Sequence, residues 1–166
     1  MATAATPYSL PLTSSEPSSG VSPELSIVVP VYNEAAVLAL FHARLLAVLT
    51  HLAVRFELIY VDDGSTDGSS GVLDALRSSC PQVGVARLSR NFGKEHAMTA
   101  GLELVRGQAV VVIDADLQDP PELIGEMVRA WQQGADVVNM KRSSRQGETW
   151  FKKASAAWFY KVINWL

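Results

Sequence analysis

Five short runs of apolar and β-branched residues recur along this chain, and each is followed by a segment with helical spacing. The runs are 25–31 (LSIVVPV), 56–61, 83–88, 109–113 and 136–140. The segments are 34–52, 69–78, 96–105, 122–133 and 147–166, the fourth introduced by Pro120-Pro121. Strand–helix alternation predicts parallel strands joined by crossover helices. Strands that are apolar throughout predict a sheet covered on both faces. The expected class is therefore α/β, a Rossmann-like, mostly parallel sheet. Such a sheet binds its ligands beyond the carboxyl ends of its strands. The candidates are thus the polar residues at those ends: Tyr32, Asn33 and Glu34; Asp62 and Asp63; Ser89, Arg90 and Asn91; Asp114 and Asp116; Lys141 and Arg142.

The bulk numbers narrow the partners. With 166 residues the chain suits one domain with a real core. A net charge of −3 offers nothing for non-specific nucleic-acid binding. The single cysteine, Cys80, has no disulfide partner and no metal-ligand spacing around it, which fits a reducing cytoplasmic setting. Residues 1–24 are rich in Ser, Thr, Pro and Ala without period and read as a disordered leader rather than a secretion signal. No stretch reaches the roughly 18 apolar residues of a membrane span. The expected organisation is a leader (1–24), a core (25–146) and an amphipathic tail (147–166).

Asp114-Ala-Asp116 is the sharpest motif. A two-residue spacing at a strand end aims both carboxylates at one point. Paired hard oxygens suit Mg²⁺ or Mn²⁺, with Gln118 as a third oxygen. The competing reading is a loop of solvated acids, or a helix-capping Asp. Asp62-Asp63-Gly-Ser-Thr-Asp67 offers a carboxylate to a nucleobase edge or ribose, Asp63 ahead of Asp62. It also reads as an Asp-Gly turn in which Asp67 caps the next helix. Tyr32 can pack on a base or ribose and Glu34 can bond one, or Asn33 simply caps the first helix. Arg90 and Lys94 suit a diphosphate, with Gly93 allowing close backbone approach. Spacing alone leaves these two as solvated cations with equal weight. His96 reads as a helix-surface or half-buried histidine rather than a catalytic base.

Together, VVPVYNE (28–34), VDDGSTDGS (61–69), SRNFGKEHAMTAGL (89–102), VVVIDADLQDPPE (110–122) and DVVNMKRSSR (136–145) resemble family 2 glycosyltransferases of the GT-A fold. The nearest likeness is to the polyprenyl-phosphate branch, which includes bactoprenol glucosyltransferases and dolichol-phosphate mannose synthases. DADLQDPPE and RNFGK carry that likeness. It implies transfer of a hexose from a nucleotide sugar of the UDP-glucose or GDP-mannose type to a polyprenyl or dolichyl phosphate, with inversion, at the cytoplasmic side of a membrane. It implies nucleotide contacts at Pro30, Tyr32 and Glu34, and a base-reading acid at Asp62 or Asp63. Asp114, Asp116 and Gln118 become the metal and diphosphate group. Arg142 grips the acceptor phosphate, and Lys153, beside Lys152, adds to that grip. Relatives often carry glycine ahead of that arginine, where this chain reads Asn139-Met140-Lys141.

The tail places Phe151, Ala154, Trp158, Val162 and Trp165 on one helical face among lysines. That suits a membrane-interface helix, or a helix packed on the protein's own sheet. An exposed apolar tail also favours homo-oligomers. Relatives continue past this point, so the chain reads as truncated. The alternative to an enzyme is a truncated, non-catalytic domain that binds nucleotide sugar or sits on membranes. A phosphohydrolase of the haloacid dehalogenase type also uses D-x-D after an apolar strand. There the motif opens the domain, whereas here it follows three strand–helix units. Gly93-Lys94 lacks the glycine-rich loop of a P-loop nucleotidase.

Overall fold

The computed structural model describes residues 22–140. Within them lie β1 (Leu25–Val31), α1 (Ala35–His51), β2 (Phe56–Asp62), α2 (Ser69–Ser79), β3 (Val83–Arg87), α3 (Lys94–Leu102), β4 (Ala109–Val112), a 3-10 turn (Pro121–Leu123) and α4 (Ile124–Gln132). The four strands form one parallel sheet in the order β3-β2-β1-β4. The described residues up to Ala135 make one compact unit. The α/β class and its first four strand–helix units match the expectation. Lys94, expected in a loop, is instead the first residue of α3.

The sheet's two faces use alternate residues, as strand geometry requires. Leu25, Ile27, Val29, Leu58, Tyr60, Val83 and Val85 point into one layer. There they meet Leu38, Phe41, Leu45 and Leu49 of α1, Leu73 of α2, and Ile124 and Val128 of α4. Ile59, Val61, Ala86 and Leu88 point the other way, onto Ala97 and Ala100 of α3. Gly101 lets α3 lie close, because a Cβ there would run into the Val28 side chain. The expected two-sided cover holds for β1 to β3. On β4 it does not: Val110 and Val112 stay exposed among the described residues.

Residues 136–140, expected as a fifth strand, adopt none. Their apolar composition was the whole signal. A strand also needs a hydrogen-bonded neighbour, and Val137 stands 86% exposed. Glu24, placed at the end of the expected leader, is tied to the neighbouring strands. The Glu24 backbone bonds to Arg55 O at 2.8 Å, and its carbonyl accepts from Gln108 N and Ala109 N at 3.0 Å each. Among the described residues no helix is long and apolar enough to cross a membrane.

The strand order reverses direction beside β1, between β2 and β4. Ladder pairing of β1 with β4 ends at Val28–Val112, while pairing with β2 continues to Val31–Asp62. Val28 O accepts from Ile113 N, and Val31 O accepts from Asp63 N. Alternate residues therefore face opposite neighbours, and Pro30 faces the β4 side beyond the last pair. Proline lacks an N–H, so it costs no ladder bond there. Ladder pairing of β1 with β4 thus stops at the sheet's switch point, where sheets of this kind bind ligands in a crevice.

Candidate functional site

The crevice rim collects all four strand exits. Leaving β4, Ile113 and Ala115 turn into the core while Asp114 and Asp116 turn half-buried to the other side. Burial thus alternates past the end of β4, and both carboxylates act on Glu34. Asp116 Oδ1 accepts from Gln118 N at 2.9 Å. That closes a tight turn through Leu117, whose φ is 62°. Gln118 itself is exposed. The acidic loop is tethered to α1 by a two-pronged ion pair, Arg44 NH2 reaching both oxygens of Glu122 at 2.9 Å.

Lys94, at the first turn of α3, reaches across the rim to Asp114 Oδ2 at 2.5 Å. Its neighbour Arg90 is exposed, its guanidinium 4.9 Å from the centre of the Phe92 ring. Glu34 follows β1, and its carboxyl is pushed above the usual carboxylate range. Burial is the main cause, followed by the negative charges of Asp116, Asp67 and Asp114. Glu34, Asp114, Asp116 and Lys94 therefore share one electrostatic neighbourhood. Tyr32 stands at its edge, 46% exposed, and Pro30 is half-buried.

Asp62 and Asp63 are both 2% exposed. Asp62 turns toward α2, accepting from Ser65 N at 2.9 Å and from the Ser70 hydroxyl. Asp63 turns toward the β3 exit, accepting from Phe92 N at 2.8 Å and Gly93 N at 2.9 Å. Lys141, Arg142, Lys152, Lys153 and the amphipathic tail lie outside the described residues.

Residue-level reading missed how the β1 and β2 exits interlock. Asn33, a candidate cap for α1, does not cap it. It sits in the left-handed region (φ 57°), and its Oδ1 accepts from Thr66 N at 2.8 Å. The N–H groups that open α1 are satisfied from the other loop: Asn33 N by Ser65 Oγ, Glu34 N by Ser69 Oγ and Ala35 N by Asp67 Oδ2, at 2.9–3.0 Å. Asp67 also accepts from Ser69 N at 3.0 Å, so one carboxylate serves the starts of two helices. The run of Ser, Thr and Asp at 65–69 was the available signal, since these side chains bond nearby backbone.

Chemically, two carboxylates at alternate positions offer hard oxygens that fit Mg²⁺ or Mn²⁺. Among the described residues no three His, Cys, Asp or Glu side chains gather into a metal-holding group. Two protein oxygens, with phosphate and water in the other positions, is the usual way Mg²⁺ is held. Lys94 provides positive charge beside them.

Residues 26–164 match the model of glycosyl transferase family 2. An uncharacterized glycosyltransferase of Synechocystis is 54% identical over 141 residues, 85% of this chain and 44% of its own length. The bactoprenol glucosyl transferase of Shigella phage SfX is 40% identical, covering 85% of this chain and 46% of its own. An undecaprenyl-phosphate 4-deoxy-4-formamido-L-arabinose transferase of Pseudomonas savastanoi is 45% identical, at 84% and 40%. The chain thus spans less than half the length of these relatives. Among solved structures, a Pyrobaculum calidifontis mannosyltransferase in complex with GDP-Man and Mn²⁺ superposes with a TM-score of 0.58 at 23% identity, covering 74% of this chain and 37% of that one. S. aureus TarS 1-349 superposes at 0.55 and 21% identity, covering 72% and 39%. These superpositions bear on the fold, which is GT-A. With the family model matched over most of its length, the chain belongs to glycosyltransferase family 2.

Proposed function

We propose that this chain is the donor-binding part of a metal-dependent glycosyltransferase that moves a hexose from a nucleotide sugar to a polyprenyl phosphate, with inversion. The observation that carries this reading is the meeting of Glu34, Lys94, Asp114 and Asp116 at the crevice where β1 and β4 part. A concentrated negative cluster with one lysine is suited to a divalent cation plus a diphosphate. The names of the bactoprenol and undecaprenyl-phosphate relatives support the lipid-phosphate acceptor.

In this reading Pro30, Tyr32 and Glu34 face the nucleoside, with Asp62 and Asp63 behind them. Lys94 and Arg90 bind the diphosphate, and Asp114, Asp116 and Gln118 hold the cation. When bound, Mg²⁺ or Mn²⁺ neutralises charge on the departing nucleoside diphosphate. Lys94 adds to that neutralisation from the α3 side. An acceptor phosphate oxygen is already anionic at neutral pH and needs no strong general base. It needs in-line placement, which the resemblance assigns to Arg142 with Lys153. Action at a membrane surface belongs to the same proposal, because the acceptor is a lipid, and the resemblance adds the cytoplasmic side.

Asp116→Ala tests the site. The variant is expected to keep the parent's far-UV circular dichroism and melting temperature while losing Mn²⁺-dependent binding of UDP and GDP in calorimetry. Nucleotide binding equal to the parent's, with the same metal dependence, would sink the assignment.

A further inference from the structure

The exits of β2 and β3 are locked together, and the lock is made by Asp63 and Gly64. Both oxygens of the buried Asp63 carboxylate are engaged by successive backbone amides, Phe92 N at 2.8 Å and Gly93 N at 2.9 Å. The Asp63 backbone is itself held, its N–H bonding to Val31 O at 2.8 Å. Gly64 has φ +68°, and a Cβ built on it would lie 2.5 Å from Arg90 C and 2.7 Å from Asn91 N. The two loops therefore touch backbone to backbone, which a residue with a side chain would prevent. The segment so clamped, 90–94, carries both cations of the rim. Arg90 stacks on Phe92, and Lys94 reaches Asp114.

We propose that Asp63 and Gly64 are positioning residues for the phosphate end of the donor site: they fix the 90–94 loop so that Arg90 and Lys94 meet a diphosphate. This rests on the donor-site reading above. It differs from direct base reading by Asp63, because each of its oxygens already accepts a backbone N–H and the residue is almost wholly buried. Charge-assisted bonds to two successive amides also fix the peptide direction where α3 begins.

The test compares ligands that share a diphosphate but differ in base. Parent, Asp63→Asn and Gly64→Ala would be titrated by calorimetry with inorganic pyrophosphate, UDP and GDP, each with Mn²⁺. An asparagine at 63 keeps one acceptor and turns an NH₂ toward the other amide. Gly64→Ala wedges the same loops apart without touching the carboxylate. Both variants are expected to weaken pyrophosphate, UDP and GDP alike, by about tenfold, the size of one charge-assisted hydrogen bond. The ratio of UDP to GDP affinity stays at the parent's value. Faster hydrogen exchange at the Phe92 and Gly93 amides accompanies the loss. Unchanged pyrophosphate binding with an altered UDP-to-GDP ratio would show that Asp63 reads the base and overturn the inference. Unchanged binding of all three ligands would overturn it too. A folded parent that binds neither nucleotide nor pyrophosphate would instead overturn the donor-site reading itself. Should Asp63→Asn fail to fold, Gly64→Ala carries the same comparison.

Discussion

Replacing Glu57 should cost this fold more than replacing its ion-pair partner. Glu57 lies on β2 at the end of the sheet remote from the crevice, and it is 7% exposed. Its carboxylate accepts from Ser26 Oγ at 2.6 Å, from Arg106 N at 2.7 Å, and from Arg106 Nε and NH2 at 2.9 and 2.8 Å. Ser26 Oγ accepts in turn from Gly107 N at 2.8 Å. One carboxylate thus ties β1, β2 and the turn that feeds β4. In Glu57→Ala, the Ser26 hydroxyl and the Arg106 N–H lose their acceptor in a place water reaches poorly. Each unsatisfied group costs about 1–3 kcal/mol. The Arg106 guanidinium is 53% exposed and can turn to water, so its share is about 0–1 kcal/mol. The total is about 3 kcal/mol, against about 1 kcal/mol for Arg106→Ala, which leaves the carboxylate two of its donors. In urea, with a slope of about 2 kcal/mol/M, the first change lowers the midpoint by about 1.5 M. Equal losses for the two variants, or a loss for Glu57→Ala below about 0.5 kcal/mol, would refute the reasoning.

Two further outcomes concern protonation. His42 is buried, its Nδ1 2.9 Å from Tyr60 Oη, and burial lowers its pKa. Burial also keeps the tyrosine protonated, so the bond joins a neutral phenol to a neutral imidazole. A histidine neutral in the fold contributes stability above its unfolded pKa of about 6.5, and that contribution is lost as pH falls below it. Urea midpoints at pH 7.5 and 5.5 should show a drop that His42→Leu flattens; an equal drop in both would place the sensitivity elsewhere. Glu34 has the opposite sign, because its raised pKa makes its ionised form costly at neutral pH and the cost is relieved as pH falls. Asp116→Asn or added Mg²⁺ should bring the Glu34 pKa down in carboxyl-resolved NMR titration. No movement with either would separate Glu34 from the cation site.

The order of strands and helices up to Gln132 was legible because each strand is a dense β-branched run and each helix is bounded by turn chemistry. The Asp114/Asp116 pair was legible as a two-residue spacing: β4 ends at Val112, but burial still alternates through Ile113 and Ala115 and leaves the two acids half-buried. What could not be read locally came from contacts between loops. By spacing alone Lys94 reads equally as a solvated cation, and only the folded rim sets it on Asp114, 20 residues further on. Asn33 has a good capping side chain, yet the left-handed backbone at that position turns it to Thr66. Asp63 carries a carboxylate at a strand end, the ordinary place for a ligand contact, but two amides 29 and 30 residues on already occupy it. At 136–140 composition named a strand, and no strand forms.

The central claim is that the crevice between β1 and β4 holds a nucleotide diphosphate with a divalent cation. Calorimetric titration of the folded chain with UDP, GDP and their hexose conjugates, with and without Mn²⁺, tests it most directly. The expected result is saturable binding of one nucleotide class that requires the metal and is lost in Asp116→Ala. Binding of neither nucleotide by a folded sample, or binding indifferent to the metal, would contradict it.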